Sequence, residues 1–381
     1  MTVRQFYIMF VIYLVSIKIQ KLPALVSAEL GKDSYILFLI YMLINLVGII
    51  LMYIFLKVIK KREDQNKMNV FLLLLKKVVM LATSFYFVIR SLLLYAHIQD
   101  LFANTLFDNL SWALFSLLLL FTVVYLANIG LGNIALNFEI YLPVIVVSYV
   151  VITLLGGAHT DFSYILPFEN INFGGAFSNI LKYNIWFGDF FVFYYIGRYT
   201  EKIKLSWSLI LYSITMLFVA LLVVEFNGIY KAYAPVQAGL ISVLSEHSML
   251  GINIGRVDWF LILLTEIGAI LGCGVSLYFA TKCASTAFTK IKPIYLELVI
   301  AGIIYYFDIF VLVDIEAKKE FFLNFASSYS AIIKIVSTVI LLFVFIKDYS
   351  DKKKENSKRL LKSDQKKLSK KQKKVKYEEA I

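Results

Sequence analysis

Apolar residues run in blocks of about the ~20 residues needed to cross a hydrocarbon core, which predicts membrane-spanning helices. Ten such blocks follow in order: Gln5 to Val26, Tyr35 to Ile59, Val70 to Ala96, Leu110 to Ile129, Glu139 to Leu155, Tyr183 to Arg198, Trp207 to Phe226, Asp258 to Thr281, Tyr295 to Val313 and Phe322 to Ile346. A transmembrane barrel would show shorter, alternating segments instead. Two stretches interrupt the series, Phe162 to Asn184 with Pro167, Gly174 and Gly175, and Gly228 to Arg256 with Pro235. Both read as loops holding short interfacial helices on the outer face. No cleavage region follows the first block, which runs through Pro23 towards the second, so the first span is expected to be retained.

Composition agrees with a membrane chain. Of 381 residues, 60% are hydrophobic and 17% charged, with a mean hydropathy of +0.77, outside the range of soluble domains. The net charge is +12, and the segment from Lys347 onward, with 14 Lys or Arg against 6 Asp or Glu, carries +8 of it. This divides the chain into a bundle over 1–346 and a basic, disordered cytoplasmic tail over 347–381, attracted to anionic lipid. A nucleic-acid binder would carry a folded basic domain with interleaved aromatics, which is lacking. Lys57, Lys60, Lys61, Arg62 and Lys67 follow the second span, Arg198, Lys202 and Lys204 the sixth, and Lys282, Lys290 and Lys292 the eighth. The positive-inside rule puts these loops, and both termini, in the cytoplasm. The opposite loops carry Asp100, Asp108, His159, Asp161, Glu169, Glu225, Asp314 and Glu316.

Ionisable groups inside apolar spans are functional candidates. Lys18, Arg90, Asp189, Glu266 and Asp308 meet that condition; Lys76, Lys77 and Lys334 read as snorkelling or bundle-internal lysines. Cys273 and Cys283 lack any metal or disulfide spacing and read as small apolar side chains. His97, His159 and His247 are scattered, Ser245-Glu246-His247 is adjacent in sequence without triad geometry, and no phosphate loop or nucleophile elbow appears, so neither an enzyme nor a cofactor is expected.

Two spans read as discontinuous. In the first, Ser16-Ile17-Lys18-Ile19-Gln20-Lys21-Leu22-Pro23 mixes polar residues with a proline, which removes a backbone hydrogen bond and clashes with the preceding turn. Gly188-Asp189 interrupts the short sixth span. Interrupted spans in corresponding halves point to a midplane site where half-helix N-termini meet an anionic group. The same residues also read as a proline kink and a packing glycine.

The opening Val3-Arg4-Gln5-Phe6, then Leu22-Pro23 and Lys32-Asp33, is similar to the start of the spore germination B-subunit family (GerAB/GerKB type), within the amino acid/polyamine/organocation transporter superfamily. Tyr125-Leu126-Ala127-Asn128-Ile129-Gly130 through Leu142-Pro143, Leu166-Pro167, Phe187-Gly188-Asp189 and Arg256-Val257-Asp258-Trp259 resemble later motifs of that family, in the right order from about Thr2 to Ile346. The chain departs from it where Ser16 and Lys18 replace glycines, where a proline near Gly197 is missing, and where Asp189 stands for glutamate.

The resemblance implies an all-α fold of ten transmembrane helices, a LeuT-like 5+5 inverted repeat with discontinuous first and sixth helices. It implies the B subunit of a nutrient germinant receptor in the inner membrane of the spore, working with A and C subunits. A small germinant, an amino acid or similar solute, is expected between the broken helices, at Ser16, Ile17, Lys18, Ile19, Gln20, Phe187, Gly188 and Asp189. Lys18 would stand in for a coupling cation, with Glu266 or Asp189 as its counter-charge. The alternative is an ion- or proton-coupled amino acid transporter.

Overall fold

The computed structural model describes residues 1–63, 70–105, 112–165, 172–237, 258–312 and 321–340. Lys67, Asp108, Leu166-Pro167, Glu169, Ser245-Glu246-His247, Arg256-Val257, Asp314, Glu316 and the basic segment 347–381 lie outside them. Residues Met1–Lys334 form one compact unit and Ile335–Ile381 a second.

Every regular element among the described residues is helical. The first apolar block becomes α1 (Val3–Lys18) and α2 (Leu22–Leu30), followed by a 3-10 turn at Gly31–Asp33 and α3 (Ser34–Glu63). Then come α4 (Val70–Thr105), α5 (Trp112–Asn128) and α6 (Leu131–His159), with the short α7 (Phe162–Ile165) and α8 (Phe173–Ser178) in the first irregular stretch. A 3-10 turn at Asn184–Phe187 leads into α9 (Asp189–Gly197), and α10 (Leu205–Tyr230) is followed by another at Lys231–Val236. The chain continues as α11 (Asp258–Ala287) and α12 (Pro293–Phe307), which ends in a π turn at Asp308–Leu312, and α13 (Phe321–Ile340).

Among the described residues seven helical stretches are long and apolar enough to cross a membrane. The predicted first, fourth and sixth spans fall on shorter helices. The fourth is α5, of 17 residues; the other two are the broken ones. At the fifth, helix α6 starts at Leu131, well before the predicted Glu139, and carries Pro143 in its interior.

Helix α11 is the hub, packed most extensively on α4 and also on α6, α5, α12 and α1. Small residues let it approach so many neighbours: a β-carbon on Gly274 would sit 2.9 Å from Leu126 Cβ on α5, and one on Gly268 would sit 2.7 Å from Ser16 Oγ on α1. Hydroxyls tie α4 to α11, with Ser84 Oγ donating to the Ala280 carbonyl at 2.7 Å and Ser91 Oγ 3.2 Å from Cys273 Sγ. Helices α3 and α10 form a second pair, joined where Asn227 donates to Ser34 Oγ at 2.7 Å, and Asn227 also accepts from Ser27 Oγ of α2 at 2.9 Å.

The α3–α9 contact depends on Gly48, where an added β-carbon would lie 2.7 to 2.8 Å from the Cβ, Cγ and Cδ1 of Phe190. These are the root atoms of the ring and cannot swing aside. Gly48→Ala should therefore force the helices apart at a cost of ~1–3 kcal/mol, read as a lower thermal midpoint of the detergent-solubilised protein, with Phe190→Leu in the same chain restoring part of it.

Candidate functional site

The two helix breaks have local causes. Pro23 has no N–H to offer the Ile19 carbonyl, and its ring would clash there, so α1 stops at Lys18 and α2 restarts at Leu22. Ile19 and Gln20 in the gap are buried. At the second break, Gly188 separates the 3-10 turn from α9. A β-carbon there would fall 1.7 Å from the Tyr86 hydroxyl and 2.9 Å from Arg90 Nη1, so these α4 side chains press directly on the Gly188 backbone.

The breaks meet. Lys18, the last residue of α1, donates from Nζ to Oδ1 of Asp189, the first residue of α9, at 2.7 Å, with both side chains wholly buried. A cation at a helix C-terminus and an anion at an N-terminus each complement the local helix dipole, so the ends stabilise the charges that join them. Tyr212 on α10 donates to the other oxygen, Oδ2, at 2.9 Å. Phe187 lies 5.5 Å from Lys18 Nζ and stacks on Tyr41 of α3, ring centroids 3.8 Å apart.

Of the two counter-charges expected for Lys18, the ion pair is with Asp189. Glu266 on α11 instead accepts from Gln20 Nε2, at 2.9 Å to Oε1 and 3.1 Å to Oε2. The gap in α1 is thereby held from two sides, to α9 by Lys18 and to α11 by Gln20. Ser16 and Ile17 are buried at the end of α1, Ser16 where it abuts Gly268.

Two further cations share the site that sequence reasoning did not place there. Arg90 is wholly buried; Nη1 donates to the Tyr86 hydroxyl at 2.8 Å, and its guanidinium carbon lies 5.2 Å from the Tyr13 ring centre. Lys334 Nζ donates to the Asn184 carbonyl at 2.5 Å and to Asn184 Oδ1 at 2.9 Å. It acts electrostatically on Arg90, Asp189 and Lys18. Only its midspan position marked Lys334, and no local pattern distinguishes Tyr86 and Tyr212 from the chain's other tyrosines. Asp308 lies apart, accepting from Ser116 Oγ at 3.0 Å.

Among the described residues no group of three or more His, Cys, Asp and Glu is placed to hold a metal ion, and both cysteines are buried and unbridged. A cavity of about 710 Å³ opens near the start of α1, lined in part by Tyr7, Lys204, Trp207 and Leu211, and shares no residue with this site. Lys18, Arg90 and Asp189 at the site are wholly buried.

The sequence model of the spore permease family, described as spore germination protein, matches residues 1–318. The chain belongs to the spore germination protein family. It is accordingly a multi-pass membrane protein of transporter or receptor type. A search of curated proteins finds no match. The expected membership of this spore germination family thus holds over residues 1–318, and the two breaks that carry the site fall inside that range.

A buried charge pair contributes little net stability but leaves a stranded charge when one partner goes. Lys18→Met should destabilise the protein by ~3–5 kcal/mol, and adding Asp189→Asn should recover most of that loss in thermal unfolding. Equal losses in the single and double variants would assign Lys18 to packing alone.

Proposed function

We propose that this spore germination family member is the B subunit of an endospore nutrient germinant receptor, binding a small solute between the broken α1/α2 segment and α9. The observation that carries the reading is the buried Lys18–Asp189 pair, which joins the two helix interruptions at the centre of the bundle. A solute lodged there would touch both halves of a bistable element, and a difference in its affinity for the closed and open arrangements is what signals. The ligand-contacting set is Ser16, Ile17, Lys18, Ile19, Gln20, Phe187, Gly188 and Asp189, with Glu266 as a second charge at the α1 gap.

The packing supports a LeuT-like 5+5 inverted repeat of ten spans. Counted as spans, α1/α2 is the first and α9 the sixth. The second and seventh are α3 and α10, the third and eighth α4 and α11, the fourth and ninth α5 and α12. Each of these pairs is in contact, as expected when corresponding elements face each other across a pseudo-twofold axis. In this reading both termini and the basic segment 347–381 lie in the cytoplasm of the spore, beneath its inner membrane. The A and C subunits receive the signal.

Amino acid transport coupled to a proton or ion is the second reading. It draws on the same pair, because a lysine and an aspartate that separate and rejoin during helix movement can load and release a proton.

Asp189→Asn, assembled normally with its partner subunits, should shift the germinant dose-response of spores to higher concentration by tenfold or more; an unmoved curve would reduce Asp189 to packing. Labelled solute offered to proteoliposomes should bind without sustained, gradient-driven uptake, and continuous accumulation would favour the transporter.

A further inference from the structure

The charges at the site do not balance. Lys18, Arg90 and Lys334 are basic and, among the described residues, Asp189 is the carboxylate that reaches them, so in their usual ionic forms they sum to a formal charge of +2 at residues no more than 4% exposed. Building on the solute site proposed above, we infer that Arg90 and Lys334 form its anion-binding end, and that the solute is a small carboxylate carrying no ammonium group.

Arg90 supplies the first part of the case. A guanidinium has five N–H donors. Here Nη1 bonds to Tyr86, while Nε and Nη2 are buried with no hydrogen-bond partner among the described residues. Buried donors without acceptors are costly, and a charged group more so. A carboxylate accepting from a guanidinium edge satisfies two donors at once and neutralises the charge. Arg90 also reaches the right place, since Nη1 lies 2.9 Å from where a β-carbon on Gly188 would stand, at the α9 break. Lys334 adds a second basic group whose acceptors among the described residues, both on Asn184, are uncharged.

The carboxylate that acts on Arg90 is already paired. Asp189 has one oxygen on Lys18 and the other on Tyr212. It also occupies the N-terminus of α9, so that helix end is already supplied with an anion and leaves the solute's carboxylate to Arg90. The other buried carboxylate near the α1 gap is Glu266. It stands seven residues before Cys273, which touches Ser91 beside Arg90, and seven residues of helix span ~10 Å. A zwitterion would leave the excess charge unchanged; a simple carboxylate reduces it.

The test uses full-length protein in lipid nanodiscs and two matched probe pairs, lactate against alanine and succinate against aspartate. In each pair the carbon skeleton is kept and the ammonium is replaced or removed. Calorimetric titration should find the ammonium-free member tighter by about tenfold or more in at least one pair. Arg90→Gln should weaken that anion by about 30-fold or more, the loss expected for a buried charge-assisted pair. Arg90→Lys should retain part of the affinity, and Lys334→Met, which leaves Arg90 in place, should lower it independently should Arg90→Gln not fold. Tighter binding of alanine and aspartate, or anion affinity indifferent to both Arg90→Gln and Lys334→Met, would overturn the charge assignment. If the amino acids bind and Asp189→Asn abolishes their binding, the solute site stands and only the anion inference falls. Saturable binding of none of the four probes would overturn the inference as well.

Discussion

A lysine and an aspartate, 171 positions apart in the chain and both shut away from solvent, hold the centre of this bundle together. Each sits at the end of an interrupted helix, and each has the charge that its helix end favours. The arrangement is locally consistent and globally costly: desolvation opposes it, and the ion pair, the helix dipoles and the Tyr212 hydroxyl offset that cost. Most of the other features follow from keeping these two ends in register. Gly268 lets α11 come close to α1 at Ser16, Gly188 admits Tyr86 and Arg90 against the backbone, and Gly48 lets α3 lie against the root of Phe190.

The gap in α1 is tethered unequally. Towards α9 it is held by a full ion pair, and towards α11 by an amide on a carboxylate. Helix α11 is also the element with the most neighbours. Movement of α9 relative to α1 would therefore break one strong contact, whereas movement of α1 relative to α11 would disturb the hub. The physical picture is of a fixed support behind α1 and a more separable contact in front of it.

Much of this was legible in the amino-acid sequence. Long apolar blocks marked the membrane class and the main helices, because span length is set by the bilayer rather than by tertiary context. Pro23 and Gly188 marked both breaks, since their backbone chemistry acts locally. The counter-charge of Lys18 was narrowed to Glu266 or Asp189 but not resolved: both are single acids in apolar spans, and only packing places Asp189 at 2.7 Å and gives Glu266 to Gln20. Lys334 looked like a snorkelling lysine because stem length permits that from any midspan position; its contact with Asn184 joins residues 150 apart. Helix α6 began earlier than hydropathy suggested, at Leu131, because a helix continues through polar residues such as Asn133 and Glu139 wherever its backbone bonds are met.

The doubly held carboxylate of Asp189 has a consequence for background noise. Drawing α1 away from α9 parts Lys18 from Asp189 and leaves that buried carboxylate with the Tyr212 hydroxyl. With ~3–5 kcal/mol attached to a stranded buried charge, thermal excursions into the open arrangement are suppressed by roughly 10²- to 10⁴-fold relative to an uncharged contact. In the receptor reading proposed above, this one ion pair would set the threshold for response.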